Sequence, residues 1–270
     1  MGRSNPEVEQ MVEDTWRELL TNGESEIEKR YRKIFRMFNS DIKCKWCSLP
    51  FDHPASPFLH LIFKKKPSQF NPRFCNICDE FAHKFQGGAE VDIAMVFADI
   101  RGSTTIAENM SPTEFKNLID QFYRVTTDIF IKADAMVDKL VGDEVTAFFM
   151  PGLSGKDYVN KAIQAAQEIM VQTGHQDGQK PWAPVGIGVH TGLAFVGAVG
   201  TSDGLVDITA LGDSVNVAAR LASLAKTGEI LLSESTLAAT SIASEKMEMR
   251  TQDLKGKSKP LIARVMKITD

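Results

Sequence analysis

The chain has 270 residues, 43% hydrophobic and 24% charged, with a formal net charge of −4. This length and balance suit one sizeable globular domain with a smaller appendage and exclude a disordered chain. A slightly acidic protein has no general attraction for nucleic acid or anionic lipid, so a polyanionic substrate needs locally placed cations.

Residues 7–38 carry helical spacing, with Val8, Met11, Val12 and Trp16 on one stripe and Ile27, Tyr31, Ile34, Phe35 and Phe38 on another. Asn22-Gly23 interrupts them, which predicts a helical hairpin over residues 1–38 whose stripes are packing surfaces. The start lacks the apolar centre of a signal peptide, and no apolar run reaches the roughly 18 to 20 residues of a membrane helix. The expectation is a cytoplasmic protein with no membrane span and no nucleic-acid partner.

Between 39 and 88 the character changes: Pro50, Pro54, Pro57, Pro67 and Pro72 break up the periodicity, and an irregular segment is expected. Cys44-Lys-Trp-Cys47 and Cys75-Asn-Ile-Cys78 are two C-x-x-C pairs, the only cysteines in the chain. In a reducing compartment such pairs point to a bound metal before disulfides. Four thiolates on structural Zn²⁺ is the first reading, an iron–sulfur cluster the second and a reversible dithiol switch the third. His53 and His83 lie close enough in sequence to serve as backup ligands.

From 89 to 270 a second domain is expected, with Gly87-Gly88 as its boundary. VDIAMVFAD alternates as a strand should, with Ile93, Met95 and Phe97 on one face, and ends at Asp99. Ser111 followed by Pro112 predicts a capped helix start. AMVDKL and EVTAFFM flank Val141-Gly142-Asp143 as a hairpin, and a helix follows over about 155–173. Separate strands are expected near 183–190 and 193–199, then an extended run at 205–211. Asp213 or Ser214 is expected to cap a helix ending near Leu224, and strands near 229–232, 246–253 and 261–267 close the chain. Strands joined partly through hairpins and partly through helices predict an α+β fold.

Three groups in this domain are candidates for chemistry. Asp99, at a strand end, and Asp143, at a hairpin tip, offer hard oxygen ligands suited to Mg²⁺, although each is equally explained as a turn residue. Arg101, Gly102, Ser103 and Thr104 offer backbone N–H groups to phosphate just before a helix. Asn216, Arg220 and Ser223 share one helix face beside the apolar stripe of Val217, Leu221 and Leu224, where a solvated surface is the plainer reading.

"FADIRGST", "KLVGDEV" and "TALGDSVNVAARL", with "LKGKSKP" fourth in order, together resemble the class III nucleotidyl cyclases over roughly residues 90–267. The resemblance implies a ferredoxin-like βαββαβ core and a homodimer with two shared active sites. It implies that Asp99 and Asp143, with the Ile100 carbonyl, hold two Mg²⁺ or Mn²⁺ ions per site. It further implies that Lys139 and Thr209 read the purine, Asn216 orients the ribose, Arg220 stabilises the α-phosphate and Lys255 contacts the triphosphate. Guanylyl members commonly carry glutamate and cysteine at the purine positions, so Lys139 with Thr209 points to ATP and adenylate cyclase activity. A diguanylate cyclase is disfavoured because "VGDEV" lacks that family's paired glycines and phenylalanine. A dead cyclase-like sensor would be expected to lose an aspartate or the Asn/Arg pair, and this sequence keeps all of them. The N-terminal hairpin and cysteine module are expected to regulate the cyclase, and His190 is expected to be structural.

Overall fold

The computed structural model describes residues 6–23, 25–176, 180–201, 204–243, 245, 247–252 and 260–268. Helices α1 (Pro6–Thr21), α2 (Glu26–Arg36), α3 (Ser56–Phe63) and α4 (Asn76–Lys84) precede strand β1 (Gly87–Ile100). Then come α5 (Ser103–Glu108), α6 (Pro112–Lys132), β2 (Met136–Val141), β3 (Glu144–Phe149), α7 (Pro151–Ser154) and α8 (Tyr158–Gln172). β4 (Val185–Gly200), β5 (Val206–Leu211), α9 (Asp213–Leu224), β6 (Ile230–Ser233), α10 (Glu234–Ala238), β7 (Glu248–Gln252) and β8 (Leu261–Met266) complete the described chain.

The strands form one sheet in the order β2-β3-β1-β4-β6-β8-β7, and β5 pairs with the Phe195–Gly200 part of β4, beyond the stretch paired with β6. Its first four strands follow the order 4-1-3-2, all antiparallel neighbours, with α6 and α8 as the crossovers. That is the expected ferredoxin-like βαββαβ arrangement within a mixed α+β fold. β1 and β4 run side by side from Gly87 opposite Ala198 to Ile100 opposite Val185.

Both faces of β1 are covered, as a central strand requires. Ala94, Val96 and Ala98 face a core with Phe122 and Phe130 of α6 and Ile163 and Ile169 of α8. Ile93, Met95 and Phe97 face the other side, in one cluster with Trp16 and Leu20 of α1, Trp46 and Phe74, and Ala218 and Ala222 of α9. Trp16 ties these parts together: its indole N–H donates to the Phe85 carbonyl at 2.7 Å, and its ring meets Trp46 and Phe81 edge-on at 6.0 and 5.2 Å.

Three local expectations are corrected. The proline-rich segment contains α3 and α4, whose 8 and 9 residues are too short to show a clear period. The strands expected at 183–190 and 193–199 are one strand, because Gly192 continues the ladder opposite Ile93. A Cβ at Gly192 would sit 2.8 Å from Ser214 Oγ, so this glycine marks the close approach of α9 rather than a break. Neither Asp213 nor Ser214 caps α9. Gly212 occupies that position at φ 135°, and Ser214 Oγ instead donates to the Leu193 carbonyl at 2.7 Å. The cap expected at Ser111 is present as a full capping box with Glu114.

Candidate active site and four-cysteine centre

Asp99 is the penultimate residue of β1, directly opposite Glu144, the first residue of β3. The hairpin between β2 and β3 turns in two residues, Gly142 at φ 62° and Asp143, and the Asp143 carbonyl accepts from the Ile100 N–H at 3.1 Å. The turn is anchored from outside by Tyr123, whose hydroxyl donates to the Gly142 carbonyl at 2.7 Å. Asp99, Asp143 and Glu144 therefore meet at one end of the sheet, beside Arg101, which is ion-paired with Asp99. Glu144 was not among the sequence candidates, and Arg101, expected to offer its backbone N–H to phosphate, instead places its guanidinium on Asp99.

These carboxylates disturb one another. Burial pushes the Asp99 carboxyl above its ordinary value, and the charge on Asp143 adds to that, while bonding to Arg101 opposes it. Glu144 is raised by burial and then by Asp99. A carboxyl raised in this way stabilises the fold below its unfolded value and loses that contribution as pH rises through the folded one. In buffer without Mg²⁺ or Mn²⁺, Asp99→Asn is expected to raise the melting temperature relative to the unaltered protein at about pH 7 but not at about pH 3.5. Thermal melts in buffer without added divalent ions and without chelator, which leaves the cysteine site loaded, would check this, and an equal shift at both pH values would contradict it.

Asn216 and Arg220 lie on α9, and their side chains make no hydrogen bond or ion pair with the described residues; Asn216 is exposed and Arg220 half-buried. The helix is pressed onto β4 at Gly188, where a Cβ would sit 2.3 Å from the Ala222 N and 2.6 Å from the Ala218 carbonyl oxygen. Packing without side chains at that contact fixes the height at which the amide and guanidinium are presented. Gly102, at φ 67°, opens α5, with Ser103 half-buried and Thr104 exposed. Lys255 lies outside the described residues.

Lys139 and Thr209 come together around a third residue, Asp138. Thr209 Oγ1 is 3.2 Å from Asp138 Oδ2, and Lys139 Nζ is 3.9 Å from the same oxygen. Asp138 is buried on the same face as Met136, and an acid at an inward strand position was the signal available in the sequence. A cleft of about 600 Å³, lined by Lys43, Lys45, Arg73, Tyr123 and Leu140 among others, lies beside this group and includes neither Asp99 nor Arg220.

The four cysteines are brought together as expected. Cys44, Cys47, Cys75 and Cys78 are buried and free, with all four sulfurs within 4.8 Å of one another. Each C-x-x-C loop is pinned by backbone bonds, Ser48 N–H to Cys44 carbonyl and Asp79 N–H to Cys75 carbonyl, both 2.9 Å, and Ser48 adopts φ 62°. The Cys75 N–H points at Cys44 Sγ, 3.2 Å away. Bonding from Cys44, Cys47 and Cys78 holds the Cys75 thiol well below its usual range, whereas burial pushes Cys44 up. Lys65 is buried beside this cluster; although burial opposes it, the charge of Cys47 and the bond to Glu28 raise its pKa. A single metal ion among four thiolates carries net negative charge, and Lys65 is a cation placed to offset it. Neither histidine joins the cluster: His53 Nδ1 accepts from Ala55 N–H at 3.0 Å, and His83 Nδ1 lies 2.9 Å from the Asp79 carbonyl. His190 bonds with Ser233 at 2.9 Å inside the sheet, a structural role.

The family model of the adenylate and guanylate cyclase catalytic domain matches residues 87–266. The chain belongs to that family. Among its relatives is an adenylate cyclase of Anabaena cylindrica, 32% identical over 152 residues, which cover 54% of this chain and 30% of that protein. Adenylate cyclase 1 of Rhizobium meliloti is 28% identical over 140 residues, covering 50% of this chain and 21% of that protein. The chain thus spans less than a third of these curated relatives. Among solved structures it resembles the guanylyl cyclase Cya2, with TM-score 0.61, 25% identity and coverage of 68% of this chain and 96% of that one. It also resembles the adenylyl cyclase CyaB from P. aeruginosa, with TM-score 0.55, 27% identity and coverage of 67% and 96%. No helix among the described residues is long and apolar enough to cross a membrane.

Proposed function

We propose that the chain is an adenylate cyclase that converts ATP to 3′,5′-cyclic AMP and pyrophosphate, working as a homodimer with two shared sites. The observation that carries this reading is the convergence of Asp99 and Asp143 at one sheet end in a chain of the cyclase family. Their oxygens, with the Ile100 carbonyl, are hard donors suited to two Mg²⁺ or Mn²⁺ ions, and mutual carboxylate repulsion is what a cation would relieve. Bound divalent ions would lower the pKa of the ribose 3′-hydroxyl and offset charge on the triphosphate. Asn216 orients the ribose. Arg220 meets the negative charge that accumulates while the bond from O3′ to the α-phosphorus forms and the bond to pyrophosphate breaks. Gly102, Ser103, Thr104 and Lys255 bind phosphate.

Each shared site takes its aspartates from one copy and its purine, ribose and phosphate contacts from the other. That α9 presents Asn216 and Arg220 without partners among the described residues supports this division. ATP is the proposed purine nucleotide because the Lys139 ammonium donates to the unprotonated N1 of adenine, whereas guanine N1 carries a proton. Product analysis with ATP or GTP and Mg²⁺ or Mn²⁺ tests the assignment. The unaltered protein is expected to form cyclic AMP, and Lys139→Glu with Thr209→Cys to shift kcat/KM toward GTP by about tenfold or more. No cyclic product from either nucleotide would overturn it.

We further assign Zn²⁺ to the four cysteines. A tetrahedron with metal–sulfur bonds of about 2.3 Å has edges of about 3.8 Å, close to the 3.7 Å between Cys47 and Cys75. A multi-iron cluster spreads its sulfur ligands around several metal atoms, further apart than 4.8 Å allows. Regulation by this module is supported by Lys45, which lies between two of the cysteines and is buried against Asp138 and Asp207 of the purine-reading strands.

A further inference from the structure

Asp138 has a role that the cyclase reading leaves unassigned. It is a buried carboxylate, and its two oxygens face different partners. Oδ1 takes the Lys45 ammonium at 2.8 Å, and Lys45 also reaches Asp207 at 2.9 Å; both the Lys45 and Asp138 side chains are only 2% exposed. Oδ2 faces Thr209 Oγ1 at 3.2 Å. Around them Arg73 pairs with Asp207 at 3.1 Å and donates to the Asp138 carbonyl, while the Lys45 N–H donates to the Arg73 carbonyl at 2.8 Å. The group is thus clamped from the cysteine module.

A hydroxyl can donate in one direction only, and a carboxylate only accepts. The Thr209 proton is therefore committed to Asp138, and what Thr209 offers to anything else is a lone pair. We propose that Asp138, held by Lys45, is a specificity-determining positioning residue: it turns Thr209 into a hydrogen-bond acceptor, which suits the 6-amino group of adenine and rejects the 6-oxygen of guanine. This rests on the reading of Lys139 and Thr209 as purine contacts and adds the reason a neutral threonine discriminates. It also makes the module part of the selection, because the cation fixing the Asp138 orientation comes from between Cys44 and Cys47.

The polarity is reversible by one nearly isosteric change. In Asp138→Asn the amide oxygen stays on the Lys45 ammonium, so the NH₂ faces Thr209; its hydroxyl then accepts from the amide and donates outward. Lys45 keeps Asp207, so the fold retains the buried ion pair, and a thermal melt verifies this. The test is competitive binding of 3′-deoxy-ATP and 3′-deoxy-GTP, which cannot cyclise, to the full chain with Mg²⁺, for the unaltered protein, Asp138→Asn, Thr209→Val and the double variant.

The expected result is an adenine-over-guanine binding ratio that falls about tenfold in Asp138→Asn, the size of one mispaired polar contact. In the Thr209→Val background the same change should have no further effect. If Thr209→Val changes the ratio and Asp138→Asn does not, the inference fails while the purine reading stands. If Thr209→Val itself leaves the ratio unchanged, the purine reading fails and the inference with it. A second measurement needs no variant: the unaltered protein should bind the 6-methylamino analogue of ATP about tenfold better than the equally large 6-methoxy analogue. Equal binding of the two would overturn the proposal.

Discussion

Arg220→Ala is expected to lower cyclic AMP formation by about a hundredfold to a thousandfold, and Asp99→Ala by at least as much. The two losses have different origins. Arg220 is presented by α9 without a partner among the described residues, so its removal should leave the fold intact and, in the proposed site, take away charge stabilisation where the α-phosphate becomes more negative. A fall in kcat with little change in KM is expected for Arg220→Ala, since that interaction strengthens in the transition state. Asp99 is embedded at the sheet end beside Glu144 and Arg101. In the proposed site its loss removes one of the carboxylates that would hold the divalent ions, so activity should respond to raised Mn²⁺ concentration more than in Arg220→Ala. Initial rates over a metal and ATP grid separate the two, and wild-type rates in either variant would contradict the assignment of that residue.

Removing the metal from the four cysteines is expected to be the most damaging change to the fold. Cys44, Cys47, Cys75 and Cys78 sit in the same apolar cluster as Trp16, Leu20 and the β1 residues Ile93, Met95 and Phe97. Losing the cross-link therefore uncovers one face of the central sheet as well as the module. Structural zinc sites contribute on the order of 10 kcal/mol to folding, so Cys47→Ser or exhaustive chelation should lower the melting temperature by well over ten degrees, on the order expected for several kcal/mol. Trp46, buried in the C-x-x-C loop, should become solvent-exposed, giving a red-shifted fluorescence. Metal analysis should find about one zinc per chain with no absorbance near 400 nm, where iron thiolates are expected to show colour. A coloured protein would reassign the metal to iron, and an unchanged melt after chelation would remove its structural role.

The sequence disclosed most about segments whose function and fold agree. The alternation of Ile93, Met95 and Phe97 places β1, and Gly142 marks the hairpin turn it makes at positive φ. β4 is one strand where the sequence predicts two, and the glycine between the two expected strands, Gly192, is there because Ser214 of α9 presses on the strand, a contact made across more than twenty positions of chain. Helices α3 and α4 escaped notice because neither spans enough turns to show a period. The candidate site was legible where chemistry lies in short blocks, as with Asp99, Asp143 and the α9 face. The Lys45–Asp138 pair joins residues 93 positions apart, and no spacing rule connects them. An acid on the inward face of β2 was the one available hint.

The central claim is that each site is built by two copies of this chain, one supplying Asp99 and Asp143 and the other Asn216 and Arg220. The most direct measurement mixes Asp99→Ala with Arg220→Ala, each inactive alone, under conditions that allow subunit exchange. Half of the dimers then pair one of each, and each such dimer holds one intact site, so activity should return to about a quarter of the unaltered level by random assortment. Recovery to that level is the expected result; a mixture no more active than its two components, with exchange verified by subunit labelling, would contradict it.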